Sequence, residues 1–211
     1  MVNTEKLTAT LVEMRRLFAT NPTHAVRSKS FITAFQNYCA DELRARGVES
    51  NGLHIEIEKK IKVERGRVEA DIGIFNEKNE PVLIVDVRSQ MSSLGKNFNN
   101  YIRMKAGEVE SIHNIFPDCI VGLVYIHPLE DVPTELPINP VGSFNYENAS
   151  RQLVSLIRNV STTEILSKYQ QVSYCVIDFN SNPPKLSETN PSQPELKLEN
   201  FFDNIVSLLK K

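Results

Sequence analysis

Three residues of this 211-residue chain have the types and spacing to do chemistry: Asp71, Asp86 and Arg88. Asp71 sits inside Val68-Glu-Ala-Asp-Ile-Gly-Ile-Phe75. Asp86 ends the apolar run Val82-Leu-Ile-Val85, and Arg88 follows two residues on, facing the same way. A carboxylate is costly to bury unless a cation or hydrogen bonds compensate it. An aspartate among Val, Leu and Ile therefore asks for a partner. One reading is an ion pair at a strand end, Asp86–Arg88 or Asp71–Arg88. A second is that Asp86 marks where the strand meets solvent. A third is that Asp71 and Asp86 share a divalent cation. Magnesium favours one or two carboxylates, a carbonyl and several waters over a closed protein cage. Such an ion activates water and neutralises charge on a phosphate.

The elements that must position these residues are legible. Val68, Ala70, Ile72 and Ile74 alternate with Glu69, Asp71 and Gly73, the period of a half-buried strand. Residues 76–80 are polar and turn the chain. Val82 to Val85 is continuously apolar, which predicts a strand buried on both faces. Two strands joined by a short polar loop predict a hairpin. It would bring Asp71 and Asp86 together, with Glu69 and Arg88 beside them.

The pattern of Asp71, fourteen residues, then Asp86-Val87-Arg88 resembles the PD-(D/E)XK nuclease superfamily, in which a strand-borne Asp precedes (Asp/Glu)-X-Lys on the next strand. The continuation Ser89-Gln90-Met-Ser92-Ser-Leu-Gly-Lys96-Asn97-Phe-Asn99-Asn100 is similar to the polar loop leading into a helix in some type II restriction endonucleases. The resemblance covers residues 30–126 by element order and 68–100 by motif. It implies an α/β fold, a restriction-endonuclease-like core with a mixed central sheet flanked by helices. It also implies Mg²⁺-dependent cleavage of double-stranded DNA at a specific sequence. Asp71 and Asp86 would hold the metal with the Val87 carbonyl, helped by Glu69 or by Glu42 on an early helix. Gln90, Ser92, Lys96, Asn97, Asn99 and Asn100 would contact DNA. Cutting a palindromic site implies a homodimer.

Arg88 departs from the pattern, which has lysine there. Arginine is always charged and cannot act as a base, although it can pair with a phosphate oxygen. Three readings stay open. Arg88 is a tolerated variant with reduced activity, an introduced substitution that blocks cleavage, or the mark of a non-cleaving DNA-binding relative with Lys96 supplying an amine from the helix side.

Composition sets the bounds. The chain is long enough for one domain with a real core, with helices over 4–46, a core over 53–126 and further helices and a strand over 148–211. Its net charge is −2, which argues against a generic nucleic-acid coat. The first 126 residues hold 17 Lys and Arg against 16 Asp and Glu, so no basic half is hidden there. A nuclease needs positive potential only in its cleft. No apolar stretch is long enough for a membrane span, and no signal-peptide pattern opens the chain. Cys39, Cys119 and Cys175 lie far apart in apolar contexts, which predicts buried free thiols. A cytoplasmic protein with no membrane partner is the expectation.

The remaining chain reads in order. Helices are expected over 4–19 and from residue 28 or 30 to 46, broken at Asn21-Pro22-Thr23-His24 and stopped by Gly47. Residues 54–63 alternate as a strand with one wet face. Arg65 and Arg67 flank Gly66 in the turn that follows, as phosphate contacts or as a solvated turn. A helix is expected over 96–114, with Phe98, Ile102, Val109 and Ile112 facing inward. Its first turn carries Lys96, Asn97, Asn99 and Asn100. A lysine is out of place beside the positive end of a helix dipole unless an anion sits nearby. Residues 119–126 form a buried strand, and His127 at its end is a further candidate for the site. A long loop over 128–145, helices over 148–160 and 163–169, a strand over 172–179, irregular chain over 180–194 and an amphipathic helix over 199–209 complete the expectation. No repeat, glycine-rich phosphate loop or Cys/His metal spacing is present.

Overall fold

The computed structural model describes residues 1–27, 29–50, 52–64, 66–157 and 169–210. Arg65, the end of the helix expected over 148–160 and nearly all of that over 163–169 lie outside the described residues.

The fold is α/β, with helices packed on both faces of a six-stranded mixed sheet. The helices are α1 (Thr4–Thr20), α2 (Pro22–Arg27), α3 (Ser30–Ala45), α4 (Leu94–His113), α5 (Tyr146–Ser155) and α6 (Leu198–Leu209). The strands are β1 (His54–Val63), β2 (Gly66–Phe75), β3 (Pro81–Ser89), β4 (Ile120–Pro128), β5 (Gln171–Asp178) and β6 (Lys185–Leu186), and they lie in the sheet in sequence order. β1, β2 and β3 form an antiparallel meander. β3, β4 and β5 run parallel, and β6 returns antiparallel at the edge.

Each helix reflects a local pattern. The Asn3 side chain accepts the Lys6 amide hydrogen bond at the start of α1, while Leu7, Leu11, Met14 and Phe18 form its buried stripe. Phe18 meets Phe31 of α3 with ring centroids 5.8 Å apart. α6 docks on the core as well. A Cβ on Gly122 of β4 would lie 2.5 Å from Ile205 Cδ1 and 2.9 Å from Phe201 Cζ, so glycine there lets the helix approach the sheet closely. α1, α3 and α6 share one core with Ile72, Ile74, Leu83, Val85 and Val87. α4 and α5 share the other with Ala70, Ile84, Leu123, Tyr125 and Tyr174.

Several boundaries differ from the sequence reading. Residues 22–27 form a short helix rather than a plain break, and α4 starts at Leu94 rather than Lys96. A two-residue strand appears at 185–186 where irregular chain was expected. β3 runs one residue further than the loop expected from Ser89, because its parallel ladder with β4 continues through Arg88–Tyr125 and Ser89–Ile126.

The simple alternation expected across residues 68–74 is also corrected. Ile72 and Ile74 pack in the core under α1, α3 and α6, whereas Ala70 and Val68 pack in the opposite core. The exchange is centred on Asp71. β1 changes with it, since Ile57 joins the first core and Ile61 and Val63 the second. Ile57 pairs with Ile72 and Lys59 with Ala70, but Glu58 and Asp71 between them do not pair. Glu58 has φ +56°, in the left-handed region that side chains rarely adopt.

Candidate functional site

The local break at Asp71 creates the site. The β2–β3 ladder stops at Ile72–Val85, one step short of Asp71 and Asp86. β3 stays with β4 to Ser89, so β2 and β3 part at the two aspartates. The Val87 N–H, freed from that ladder, donates to Asp71 Oδ2 at 2.8 Å. In an extended strand the N–H and C=O of one residue project to the same edge, so the Val87 carbonyl also points toward β2. Above the parting lies an open cleft of about 480 Å³, walled by Arg67 and Glu69 of β2, Arg88 of β3, and Met104, Gly107 and Glu108 of α4.

Both aspartates are buried, Asp86 included, so it does not mark a solvent-facing strand end. The ion-pair reading is realised. Arg88 Nε lies 2.9 Å from Asp86 Oδ1, and Arg88 Nη2 lies 3.9 Å from Asp71 Oδ2. One guanidinium thus spans both carboxylates.

A second cation completes the cluster. Lys105 of α4 is almost wholly buried, with Nζ 2.8 Å from Asp86 Oδ2 and a further ion pair to Glu108. The Tyr101 hydroxyl approaches Asp86 Oδ2 at 3.4 Å. Lys105 was not singled out from the sequence, yet a signal was present. It falls on the inner stripe Phe98, Ile102, Lys105, Val109, Ile112, where a charge has no place unless a partner is buried with it.

The electrostatics are unequal. Burial, a hydrogen bond with Asp86 and the Asp86 charge push the Asp71 carboxyl up to about 7, against the pull of Arg88 and the Val87 N–H. Burial also opposes ionisation of Asp86, but Lys105 and Arg88 outweigh it and hold that carboxyl below the usual range. Two adjacent carboxyls pushed apart in this way are equipped for acid and base roles.

The donor set fits a hard divalent cation. It offers oxygens only, and Asp86 Oδ1 is buried without a hydrogen bond, its contact to Arg88 Nε being out of line. Among the described residues no three His, Cys, Asp or Glu side chains converge on one point. Magnesium does not require a third, because water fills its remaining positions.

The other sequence candidates divide. Glu42 is not brought to the aspartates. Its Oε1 accepts the Asn3 N–H at 2.8 Å and its Oε2 pairs with Arg46 at 2.6 Å. Glu69 lines the cleft, but its carboxylate pairs with Lys29, which also approaches Glu58. Gln90 is turned inward. Its amide donates to the carbonyls of Ser92, Ser93 and Leu94, while its carbonyl accepts from the Tyr125 hydroxyl, so it fixes the loop before α4. Ser92 is half-buried in that loop, and Lys96, Asn97, Asn99 and Asn100 are exposed on the first turns of α4. Arg67 is exposed on the cleft wall. His127 is not in the cleft. It is enclosed by Phe98, Tyr125, Phe144 and Tyr174, with Nδ1 2.8 Å from the Tyr174 hydroxyl. The three cysteines are buried free thiols, as expected. No helix among the described residues is long and apolar enough to cross a membrane.

Comparison of the chain with protein-family models, with curated proteins and with solved structures finds no match.

Proposed function

We propose that the chain is a Mg²⁺-dependent endonuclease of restriction type, acting on phosphodiester bonds of double-stranded DNA. The observation that carries this reading is the meeting of Asp71 and Asp86 where β2 and β3 part, both in reach of Arg88, which lines a cleft together with Arg67. The element order α3-β1-β2-β3-α4-β4, with one aspartate on each of the two parting strands, agrees with the resemblance in the sequence.

Asp71, Asp86 and the Val87 carbonyl are the groups to hold the ion. When bound, it supplies polarisation of the phosphate and a water of lowered pKa. The rest falls to the chain. Arg88 and Arg67 orient phosphate oxygens through charge-assisted hydrogen bonds. Lys105 holds Asp86 ionised and fixed against α4. Arg88 cannot take a proton from water, so its part is confined to charge. Lys96, Asn97, Asn99 and Asn100 offer exposed amide and ammonium donors for phosphates or base edges. Symmetric cutting of both strands would use two copies of the chain.

One observation favours a second reading, a DNA-binding protein of nuclease fold that does not cleave. Arg88 and Lys105 already neutralise the two aspartates from within. A cleavage assay with Mg²⁺ separates the readings, using this chain, Arg88→Lys and Asp86→Ala. Discrete fragments from either of the first two, absent with Asp86→Ala, support the nuclease. Retention of DNA in a gel shift with no cleavage by any of them supports the binding protein. Neither cleavage nor binding across DNA of broad sequence coverage rejects both.

A further inference from the structure

The cleft holds a conflict of charge. With both aspartates ionised, as cation binding requires, Asp71, Asp86 and Glu108 bring three negative charges to one cluster, and Arg88 and Lys105 bring two positive ones. A divalent ion added to this arrangement would set four positive charges against three. With the Arg88 guanidinium withdrawn, the same ion gives three against three. Lys105 cannot be the group that leaves, since its side chain is only 2 % exposed and paired with two carboxylates. Arg88 can. Its side chain is 37 % exposed, it lies on a cleft wall, and its contacts to the carboxylates are an out-of-line approach at 2.9 Å and a distant one at 3.9 Å.

Resting on the nuclease reading above, we infer that the Arg88 guanidinium and the divalent cation exclude one another at Asp71 and Asp86, and that a phosphodiester in the cleft admits the metal by drawing Arg88 away. The anion that does so enters between Arg88 and Arg67, both on the wall of the same cleft. A guanidinium exchanges a carboxylate for phosphate oxygens with little change in bond type, because its planar fork donates charged, two-pronged hydrogen bonds to either anion. The two ligands are then linked. DNA tightens metal binding, and by thermodynamic necessity the metal tightens DNA binding by the same factor. A metal-loaded site does not form on the free protein at low metal concentration, which confines the reactive water to complexes that hold substrate.

The test is Mn²⁺ binding, read as free Mn²⁺ by electron paramagnetic resonance, on the full chain, Arg88→Gln, Arg88→Lys and the double variant Arg88→Gln with Asp71→Asn. Circular dichroism confirms that each is folded, and Arg88→Lys keeps the charge should Arg88→Gln not fold. Arg88→Gln is expected to bind Mn²⁺ about tenfold or more tightly than the unaltered chain, the repulsion of one charge from a contacting dication being of that order even when screened as in water. Arg88→Lys, whose shorter ammonium does not span both carboxylates, is expected between the two. A short mixed-sequence duplex, with its own Mn²⁺ binding subtracted, should tighten the unaltered chain and leave Arg88→Gln unchanged. Equal affinity in the unaltered chain and the Arg88 variants, lost on Asp71→Asn, overturns mutual exclusion and leaves the nuclease reading standing. Absence of Mn²⁺ binding by every chain, with and without DNA, overturns both.

Discussion

Lys105 Nζ stands 2.8 Å from Asp86 Oδ2, joining the middle of α4 to β3 through a buried ion pair. An ammonium taken out of water needs such a partner, and removing one member of a buried pair leaves the other uncompensated. Lys105→Met should therefore destabilise the fold by up to about 3–5 kcal/mol, the usual cost of orphaning a buried charge, reduced by the Arg88 guanidinium that remains beside Asp86. For a domain of this size that lowers the melting temperature by up to roughly 6–20 °C. Combining Lys105→Met with Asp86→Asn should recover part of the loss, because the orphaned charge is gone. Thermal unfolding of the two variants checks both statements. A Lys105→Met protein as stable as the unaltered chain would mean that the pair contributes nothing to folding.

Asp71 makes stability depend on pH. Its carboxyl, raised from 3.8 to about 7 by burial and by Asp86, binds a proton in the folded chain that the unfolded chain releases. That contribution is complete below about 3.8 and is lost as pH rises through about 7. His127 acts in the opposite sense. Burial lowers its pKa from 6.5 to about 3, so the unfolded chain binds the extra proton and stability falls as pH falls from about 6.5 to 3. The two slopes overlap and oppose one another. Asp71→Asn should gain stability relative to the unaltered chain progressively from pH 4 to pH 7, the window set by the Asp71 values. Denaturant melts at a series of pH values measure that difference. A constant offset between the two chains would show that Asp71 ionises as freely in the folded protein as in the unfolded one.

Much of this was legible in the sequence, and the parts that were not have physical reasons. The hairpin, the approach of Asp71 to Asp86 and the two-sided burial of Leu83–Val85 followed from periodicity and from the cost of burying carboxylates, although Val82 is only half-buried. The exchange of cores at Asp71 did not, because alternation assumes an unbroken ladder and nothing in a residue list announces that Glu58 adopts a positive φ. Lys105 was hidden for a different reason. Its partner lies nineteen residues back on a strand, and only the packing of α4 on the sheet brings them together. Gln90 was read as facing a ligand, but the carbonyls of Ser93 and Leu94 at the start of α4 claim its amide. Polar side chains near a turn often satisfy the turn itself, and spacing alone does not distinguish the two.

Glu42 offers a direct separation of a structural carboxylate from a metal ligand. It is buried, and it faces Arg46 and the Asn3 N–H rather than the cleft. Arg46 extends the network to Asp203 on α6 and lies over the Phe202 ring, so Glu42 helps join α1, α3 and α6. Glu42→Gln keeps the shape and one acceptor but removes the charge. It is expected to cost about 1–3 kcal/mol, the range for a weakened buried charged hydrogen bond. Mn²⁺ affinity, measured on the Arg88→Gln background where the site is most open, should not change. Were Glu42 a ligand, the same substitution would weaken Mn²⁺ binding tenfold or more, at about 1.4 kcal/mol for each factor of ten. Loss of affinity without loss of stability would return Glu42 to the metal site. Loss of stability without loss of affinity would fix it as the junction of the three helices.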